Sequence, residues 1–512
     1  MLRVRWLGRV HYRDAHALQR ALWERSRDGH LLLLEHPHVF TMGTRAKPEH
    51  VLVDPATVGA ELVDTDRGGD VTYHGPGQLV GYPIVDVPLG HNAIPGHVHG
   101  VEQLVIDALA ELGLPGAGRL DGYPGVWFEG RKICAIGVRV SKERSMHGFA
   151  LNVDPDMEWF TRIVPCGIDD KPVTSLAAEG VHVSMHTVVD VVTRLAAERW
   201  GSSGCERTDV AWERDDARTV ETLPIEERKP EWVRVKAEMG AEYRGLKKTM
   251  RSLELVTVCE EAGCPNVYEC WAEGTATFMI NGDRCTRACG FCLVDTRKPM
   301  EIDPVEPHRV AEAVERMGLS HAVVTAVARD DVPDGGATAF AATIDAIRLR
   351  CPSTAVEVLI PDCKGDASSL DAIFSARPDV LNHNLETVAR LQRVVRPSAS
   401  YARSLAVLAR SAAQGLTTKS GLMVGLGETE DEVLAALADL RAVGVDIVTI
   451  GQYLRPTASH LPVARWWTPA EFDRLRDAAR AMDFAHVQAS PLTRSSYHAR
   501  EAAGAASPLA LS

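Results

Sequence analysis

The crowding of cysteines constrains this 512-residue sequence more than any other feature. Six of its eleven cysteines lie between residues 259 and 292, namely Cys259, Cys264, Cys270, Cys285, Cys289 and Cys292. The chain starts with MLRVRWLGRVHYRD, which contains no apolar run long enough for a signal peptide, so we expect a cytoplasmic protein with reduced thiols. We therefore interpret the crowded cysteines as ligands rather than disulfides, and any fold must bring them together.

The crowded cysteines form two triads. In CTRACGFC, residues 285 to 292, the spacing C-x3-C-x2-C places three thiolates on one short loop. Three thiolates fix three corners of a cubane iron-sulfur cluster and leave one iron open to a non-protein ligand, whereas zinc would require four ligands. Upstream, CEEAGCPNVYEC has the spacing C-x4-C-x5-C, again without a fourth cysteine nearby. Two incomplete triads predict two clusters.

Charge and hydropathy exclude some classes of partner. The formal net charge of -13 argues against non-specific nucleic-acid binding, which needs a basic surface. The sequence contains no stretch of about 18 uninterrupted apolar residues, so it predicts no membrane span. Because a domain holds roughly 150 residues, a chain of this length predicts two to four domains.

Beyond residue 275, apolar runs typical of strands alternate with amphipathic helical patterns. The candidate strands are TATFMI, HAVVTAV, TAVEVLI, DVLNHNL, TKSGLMVGL, VDIVTIGQYL and FAHVQAS. Repeated strand-helix units imply parallel strands, so this half is predicted to be an α/β barrel or partial barrel with its chemistry at the carboxyl ends of the strands.

The first half shows short strands separated by glycine and proline, which favours an α+β fold with a mixed or antiparallel sheet. RGGDVTYHGPGQ is a glycine-rich loop, and GRKICAIGVRV places Lys132 and Cys134 on one face of a strand. IVPCGI places Cys166 on a turn. An ammonium near a thiol lowers the pKa of that thiol, so Lys132 could activate a cysteine. Composition alone does not choose between Cys134 and Cys166.

Several motifs of the second half occur in the order found in lipoyl synthases of the radical S-adenosylmethionine superfamily. These are TVCEEAGCPNVYECW, CTRACGFC, VPDGGAT, NHNLETV, TKSGLMVGLGET, GQYLRPT and RSSYHA. The resemblance covers about residues 229 to 505 and implies two [4Fe-4S] clusters and S-adenosylmethionine as cofactors. It implies one cluster on Cys285, Cys289 and Cys292, and an auxiliary, sulfur-donating cluster on Cys259, Cys264, Cys270 and a serine. That serine is Ser495 or Ser496, and we favour Ser496.

The first half resembles octanoyl-[acyl-carrier-protein]:protein N-octanoyltransferase, which has a lipoate/biotin ligase-like fold. The resemblance implies that Cys166 is the acyl-thioester nucleophile, that Lys132 lowers its pKa, and that Cys134 is a core residue. It assigns the acyl tunnel to Arg67, Gly68, Gly69, Asp70, Val71, Thr72, Tyr73, His74, Ala135, Ile136, Gly137, Gly148, Phe149 and Ala150. His74 could shuttle a proton or only form structural hydrogen bonds.

Together the two resemblances imply a fused, bifunctional protein-lipoylation enzyme. We place an octanoyltransferase domain at 1–205, a linker at 206–228 and a synthase domain of partial TIM-barrel type at 229–512. The implied partners are octanoyl-acyl carrier protein, the lipoyl domains of 2-oxoacid dehydrogenases, the glycine cleavage H protein and an electron donor. Two alternatives remain open: a first half that only docks lipoyl domains, and a non-enzymatic iron-sulfur carrier.

Overall fold

The chain divides into two compact units, Met1–Trp212 and Glu213–Ser512. A computed structural model describes residues 1–88, 90–165, 171–212, 229–234, 248, 250–253, 255–257, 275–496 and 499–506. Within these ranges, no helix is both long and apolar enough to cross a membrane. Cys166, predicted as the nucleophile, and the predicted auxiliary-cluster ligands Cys259, Cys264 and Cys270 lie outside the described residues.

The first unit is built on a mixed eight-stranded sheet and also contains a three-stranded sheet. Its strands are β1 (Leu2–Arg9), β2 (Gly29–Glu35), β3 (Val39–Met42), β4 (Glu61–Asp64), β5 (Thr72–His74), β6 (Gln78–Ile84), β7 (Gly118–Leu120), β8 (Tyr123–Phe128), β9 (Arg131–Ser141), β10 (Arg144–Asn152) and β11 (Cys205–Asp209). The orders are β11-β1-β2-β6-β10-β9-β8-β7 and β4-β3-β5. In the large sheet, β1 pairs parallel with β11 and β2, and the remaining pairs are antiparallel. The predicted mixed sheet is confirmed.

Three α-helices accompany the first unit's sheets: α1 (Tyr12–Arg25), α2 (Ala93–Glu111) and α3 (Met185–Trp200). Helices α2 and α3 contribute buried apolar side chains to one core cluster with β1 and β2. The sequence predicts α3, where the Ser184 hydroxyl accepts a hydrogen bond from the Thr187 amide at 3.1 Å. It does not predict α2, because Pro95, Gly96 and Gly100 occupy its first turns and are poor helix formers.

Strand β11 extends the first unit beyond residue 205, where we place the end of the first domain from the sequence. It pairs parallel with β1, and Arg5 Nη2 lies 2.7 Å from Glu206 Oε1 across the pair. The ring of Trp212 stacks on Trp6 at 4.2 Å. Because the segment is charged and polar, it resembles a linker in sequence, yet these contacts fix it to the edge of the sheet.

The second unit contains one sheet whose spatial order follows the chain. Its strands are β12 (Val256–Thr257), β13 (Thr275–Ile280), β14 (His321–Ala326), β15 (Ala355–Leu359), β16 (Val380–Asn382), β17 (Thr418–Val424), β18 (Ile447–Gln452) and β19 (His486–Ala489). Strands β13 to β19 pair in parallel, and β12 is antiparallel to β13. Among the described strands the two ends of this row do not pair, so the predicted partial barrel is confirmed.

Helices follow the strands of the second unit in alternation. They are α4 (Glu306–Met317), α5 (Ala337–Arg350), α6 (Ala367–Ser375), α7 (Gln392–Val395), α8 (Tyr401–Ala413), α9 (Glu430–Ala442), α10 (Pro469–Ala481) and α11 (Ala499–Ala506). Thr468 and Glu471 form the predicted capping box of α10. Gly444 follows α9 with a φ of 98°, which glycine adopts without strain. The alternation brings the carboxyl ends of the strands to one edge.

Candidate functional sites

A narrow cavity of about 50 Å³ lies in the first unit between the RGG loop and strands β9 and β10. It is lined by Tyr12, Arg67, Gly68, Gly69, Asp70, Thr72, His74, Val80, Tyr82, Ala135, Ile136, Gly137, His147, Gly148, Phe149 and Ala150. The structure therefore brings together every residue that we predict for the acyl tunnel except Val71 and Tyr73. Four further lining residues were not predicted: Tyr12 on α1, Val80 and Tyr82 on β6, and His147, which directly precedes the predicted Gly148 on β10.

Val71 and Tyr73 face away from the cavity, which corrects the expectation that they line it. Successive side chains of an extended segment point to opposite faces, and here Thr72 and His74 occupy the cavity side. Val71 and Tyr73 belong instead to a separate apolar cluster that includes Trp159. The Tyr73 ring stacks on Trp159 with centroids 5.3 Å apart. These two residues therefore pack on the face of the loop that is opposite the cavity.

The walls of the cavity depend on close backbone contacts. A Cβ atom at Gly148 would lie 2.2 Å from the carbonyl oxygen of Gly81, and one at Gly137 would lie 3.0 Å from that of Gly68. The buried Arg67 guanidinium donates to the Thr41 carbonyl at 2.6 Å and to the Gly68 carbonyl at 3.1 Å, which holds the RGG loop in place. Glycine is thus required where β10 approaches β6.

His74 is buried and hydrogen-bonded. Its Nδ1 lies 2.8 Å from Gln78 Oε1, and Gln78 in turn donates to Asn152 Oδ1 at 2.9 Å. Burial, together with the neighbouring His36, holds the pKa of His74 well below its usual value. A neutral imidazole fixed by this network favours the structural alternative over the proton shuttle.

Lys132 is buried on β9, with Nζ 4.8 Å from the centroid of the Trp127 ring. Its amide donates to the Pro172 carbonyl, and its carbonyl accepts from the Thr174 amide, both at 2.9 Å. The described residues that follow Cys166 in the chain, Pro172 and Thr174, are therefore tied to Lys132. The segment that precedes Cys166 is anchored by the Val164 amide, which donates to a carbonyl at 2.8 Å.

Cys134, the other candidate nucleophile, lies in the apolar core of the first unit. It is fully buried, and burial raises the pKa of its thiol far above the usual value. A thiol in this environment stays protonated and is a poor nucleophile. The structure therefore places Cys134 in the core, as the resemblance implies.

The second unit contains a wider cavity, of about 280 Å³, at the carboxyl ends of its strands. It is lined by Phe291, Cys292, Leu293, Val294, Asn384, Glu386, Gly421, Leu422, Met423, Thr449, Gly451, Gln452, Tyr453, Leu454, Pro456, Thr493, Arg494, Ser495 and Ser496. One wall is the cysteine loop that follows β13, and another is the RSS segment that follows β19. The cavity occupies the edge at which parallel α/β sheets place their chemistry.

The cysteine loop presents three free thiols, Cys285, Cys289 and Cys292, each half-buried. Burial raises the pKa of Cys289, and it raises that of Cys292 to about 11. Three thiols on one loop are the donor set of a cubane iron-sulfur cluster, whose positive irons would stabilise the thiolates.

Arg287, between the first two cysteines of the loop, clamps the loop to the barrel. Its guanidinium donates to both oxygens of Asp330, at 2.7 and 2.8 Å, and to Asp362 Oδ1 at 2.6 Å. Asp362 is completely buried and Arg287 is 8% exposed, so water screens this fork weakly. The fork could not be predicted from the sequence, because Asp330 follows β14 and Asp362 follows β15, both far along the chain from the cysteine loop.

Ser495 and Ser496 both line the cavity, so the ambiguity between them as the predicted cluster ligand remains. Their segment lies directly against β18, where a Cβ atom at Gly451 would lie 2.0 Å from the Thr493 carbonyl oxygen. In GLMVGLGET, Gly421 lines the cavity, whereas the Gly425 amide donates to the buried Glu428 in the turn before α9. The glycines of this motif thus differ in position: one lines the cavity, and another lies in the turn that leads to α9.

Glu386 contributes a half-buried carboxyl group to the same cavity. Asn384 Nδ2 donates to Glu386 Oε1 at 3.0 Å, and the φ of 68° at Glu386 is unusual for a residue other than glycine. Loss of water around this carboxyl raises the pKa of Glu386 above its ordinary value. The signal for this residue in the sequence is that the polar part of NHNLETV follows directly after a buried strand.

Comparison with known families assigns the chain in three parts. Residues 11–196 match the lipoyl protein ligase A/B catalytic domain. Residues 202–264 match the N-terminal domain of lipoyl synthase of the radical SAM family, and residues 279–440 match the radical SAM superfamily. The family boundaries therefore follow the two units closely, except that β11 falls within the synthase match.

Individual relatives agree with this assignment. Lipoyl synthase of Rubrobacter xylanophilus is 56% identical over 293 residues, which are 56% of this chain and 91% of that protein. Lipoyl synthase of Mycolicibacterium paratuberculosis is 56% identical over 284 residues, 56% of this chain and 92% of that protein. A solved bi-partite lipoate protein ligase of Thermoplasma acidophilum covers 41% of this chain and 87% of its own at 18% identity, with a TM-score of 0.35, too low to support a functional conclusion. The chain belongs to the lipoyl synthase family of radical SAM enzymes, and a lipoyl protein ligase A/B catalytic domain precedes its synthase region.

Proposed function

We propose that this chain performs two consecutive steps on one target. The first unit transfers octanoyl from acyl carrier protein to a lysine of a lipoyl domain, and the second inserts sulfur at C6 and C8 of that octanoyl group. The observation that carries the transfer step is the narrow cavity of the first unit, whose wall includes Val80, Ala135, Ile136, Phe149 and Ala150. Transfer of an alkyl chain from water into such an apolar space lowers the free energy.

The transfer is a pair of thioester reactions. The Cys166 thiolate attacks the octanoyl thioester carbonyl, a carbon-sulfur bond to the carrier breaks, and the carrier thiolate takes up a proton. The target amine then attacks the acyl-enzyme, loses a proton and releases the Cys166 thiolate. The Lys132 ammonium, held over Trp127, is proposed to stabilise this thiolate and so lower the pKa of Cys166.

This route needs no ATP, because the incoming thioester is already activated. A ligase that starts from a free fatty acid must first form an acyl-adenylate, and biotin ligases carry a GRGR-type phosphate loop for that purpose. The sequence contains no GRGR segment. We therefore assign the first unit to acyl transfer rather than to ligation.

The cofactors of the radical SAM lipoyl synthases are S-adenosylmethionine and [4Fe-4S] clusters. The half-buried thiols of Cys285, Cys289 and Cys292 fit one cluster, since they form no disulfide, lie on one loop, and Cys292 lines the second cavity. When bound, these groups supply a radical able to abstract hydrogen from an unactivated carbon, and the auxiliary cluster is the sulfur substrate. Its proposed ligands are Cys259, Cys264, Cys270 and Ser496.

The residues of the second cavity then have distinct tasks. Arg287 holds the cysteine loop against the barrel through its two carboxylate partners. Glu386 offers a carboxylate to a positively charged ligand group. Phe291, Leu293 and Met423 give the cavity apolar walls that exclude water from a reactive carbon radical.

The proposed partners follow from these steps. Octanoyl-acyl carrier protein delivers the acyl group, and the acceptors are the lipoyl domains of 2-oxoacid dehydrogenases and the glycine cleavage H protein. A protein electron donor must reduce the cluster on Cys285, Cys289 and Cys292. Neither nucleic acid nor membrane takes part.

The test is an anaerobic assay of the full chain with reconstituted clusters, octanoyl-acyl carrier protein, apo lipoyl domain, S-adenosylmethionine and a strong reductant. Intact mass of the lipoyl domain should show octanoyl and then lipoyl, without ATP. Cys166→Ser should abolish octanoyl attachment, while Cys205→Ser, which changes an exposed cysteine of the same unit, should not. Attachment from octanoate only when ATP is added would show a ligase instead. No attachment to the apo lipoyl domain, together with sulfuration of a lipoyl domain octanoylated beforehand, would leave the first unit as a docking module.

A further inference from the structure

Three potential metal ligands of the first unit converge beside the acyl cavity and have no role in the proposed chemistry. They are His16 on α1, Asp66 just before the RGG loop, and His147 on β10. Their ligand atoms all lie within 4.8 Å of one another, and no other trio in the described part of the chain does so. His147 also lines the acyl cavity, so the trio borders the predicted site.

The geometry centres on one carboxylate oxygen. Asp66 Oδ1 lies 2.7 Å from His147 Nε2 and 3.5 Å from His16 Nε2. The two imidazole rings stack with centroids 5.6 Å apart and an interplanar angle of 17°. Two nitrogens and one oxygen therefore face a common point from three different elements.

Two of these groups lack full compensation within the chain. His16 Nε2 is enclosed, and its nearest polar contact, Asp66 Oδ1 at 3.5 Å, is too long for a good hydrogen bond. His147 has a φ of 59°, in the left-handed region that residues with a side chain rarely adopt. Backbone strain of this kind concentrates at functional sites.

The hydrogen bond between two of the ligands marks where a cation would bind. One proton is shared between His147 Nε2 and Asp66 Oδ1 at 2.7 Å, and a bound cation would displace it. Arg139 donates to the other carboxylate oxygen of Asp66, as the outer partners of metal-bound carboxylates do.

We propose that His16, Asp66 and His147 form a binding site for a divalent transition-metal cation of the zinc type. Two imidazoles and one carboxylate are the ligand set of three-ligand zinc sites, which leave a fourth position open to water or another ligand. A cation there would satisfy His16 Nε2 and replace the shared hydrogen bond of Asp66 with two shorter bonds. The proposal does not depend on octanoyl transfer being the activity of the first unit.

The test uses the full chain with its clusters reconstituted, because empty cysteine triads would also take up zinc. After addition of one equivalent of zinc and removal of the excess, zinc K-edge X-ray absorption reports the ligands of zinc alone. We expect only nitrogen and oxygen ligands at about 2.0 Å, with no sulfur at about 2.3 Å. Zinc surrounded by sulfur, or no retained zinc, would overturn the proposal.

Variants locate the site. His16 is partly exposed, so His16→Ala and His16→Gln should fold, and each should weaken zinc binding by more than about a hundredfold, since loss of even an outer partner costs about 10- to 100-fold. His11→Ala is the matched control, because His11 is exposed at the start of the same helix and makes no side-chain capping bond. Unchanged zinc affinity in both His16 variants would refute the site.

Discussion

The two cavities differ in how burial affects the charge of the side chains that line them. At the first cavity, burial lowers the pKa of His74 and His147 and raises the pKa of Tyr12 and Tyr82, so these four groups are uncharged at neutral pH and suit an uncharged chain. At the second cavity, burial raises the pKa of the Cys292 thiol and of the Glu386 carboxyl. A positively charged ligand, such as iron or the amino group of S-adenosylmethionine, would stabilise the ionised forms of these two acids.

The largest expected effect is the loss of the reaction at the second cavity while the reaction at the first continues. Cys285→Ser should remove a ligand of the predicted cluster and reduce sulfur insertion below detection, because thiolates are the ligands of such clusters. Octanoyl attachment by the same variant should stay within about twofold of the parent, since the two units have separate cores. Intact mass of the lipoyl domain measures both steps in one sample.

Cys351→Ser is the control for that variant, because Cys351 is half-buried and belongs to neither triad. It should leave both mass additions unchanged. Equal loss of octanoyl attachment in Cys285→Ser would contradict the separation and would mean that the cluster supports the first unit.

The next effect concerns Lys132. Lys132→Met keeps an unbranched apolar side chain over Trp127 but removes the charge, and we expect octanoyl transfer to fall by about 10²- to 10⁴-fold, the usual contribution of a positioned acid-base group. The rate should recover partly at higher pH, because a thiol with an unassisted pKa ionises there. A uniform decrease at every pH would instead indicate loss of packing. Lys142→Met, on an exposed turn of the same unit, is the control.

Acid should weaken the first unit before the second. Within the described residues, the pKa is lowered for His16, His30, His36, His38, His74, His97 and His147 in the first unit, and for His383 in the second. A base whose pKa is lower in the folded chain binds its proton first in the unfolded chain, so stability falls as the pH drops below about 6.5 toward the folded value. His36, with a pKa of about 4, alone should cost about 2 kcal/mol between pH 7 and 5.

Hydrogen exchange followed by mass spectrometry, with times corrected for the intrinsic pH dependence, resolves the two units. Peptides from β2 and β6 should lose protection between pH 7 and 5, whereas those from β17 and β18 should retain more of theirs. Simultaneous loss in both units would show that the buried histidines do not set the difference.

The smallest expected effect tests the acids of the second cavity. Glu386→Gln should weaken S-adenosylmethionine binding by about tenfold, the value of one hydrogen bond to a charged group. Because burial raises the pKa of Glu386, ionisation at neutral pH opposes folding, so the same variant should melt at the same or a higher temperature without ligand. Calorimetry of the reconstituted chain measures binding and melting.

Glu430→Gln is the control variant, for which we expect the opposite change in stability. Its carboxylate is exposed and pairs with Arg474, which lowers the pKa of Glu430, so its neutralisation should lower stability slightly and leave binding unchanged. If Glu386→Gln melted at a lower temperature than Glu430→Gln without ligand, the carboxylate of Glu386 would stabilise the fold. The contrast between the two cavities would then be lost.

The sequence predicts the second unit more completely than the first because its signals are local. Each predicted parallel strand and its helix have buried apolar faces, and α10 carries its capping box in four consecutive residues. In the first unit, β1 and β11 are far apart in sequence and pair in parallel, which no local pattern reveals. The charged residues of β11, held by β1, instead resemble those of a linker.

The same distinction applies to the sites. Gly137 and Gly148, which the sequence predicts as site residues, do line the first cavity, where glycine allows a close approach of backbones. Val71 and Tyr73 do not line it, because a motif does not state which face each side chain takes. Tyr12 could not be predicted, because its position depends on how α1 packs on the sheet, whereas His147 directly precedes the predicted Gly148 on β10.

Strand β11 has a consequence for how the two enzymes are joined. The synthase family match begins at residue 202, yet residues Cys205–Asp209 complete the edge of the first unit's sheet, and Trp212 covers Trp6. A gene split at the family border would leave β1 with an open edge, ready to pair with another copy and aggregate. The family border and the structural border therefore differ: a first unit expressed alone must keep residues 202–212, which the family match assigns to the synthase.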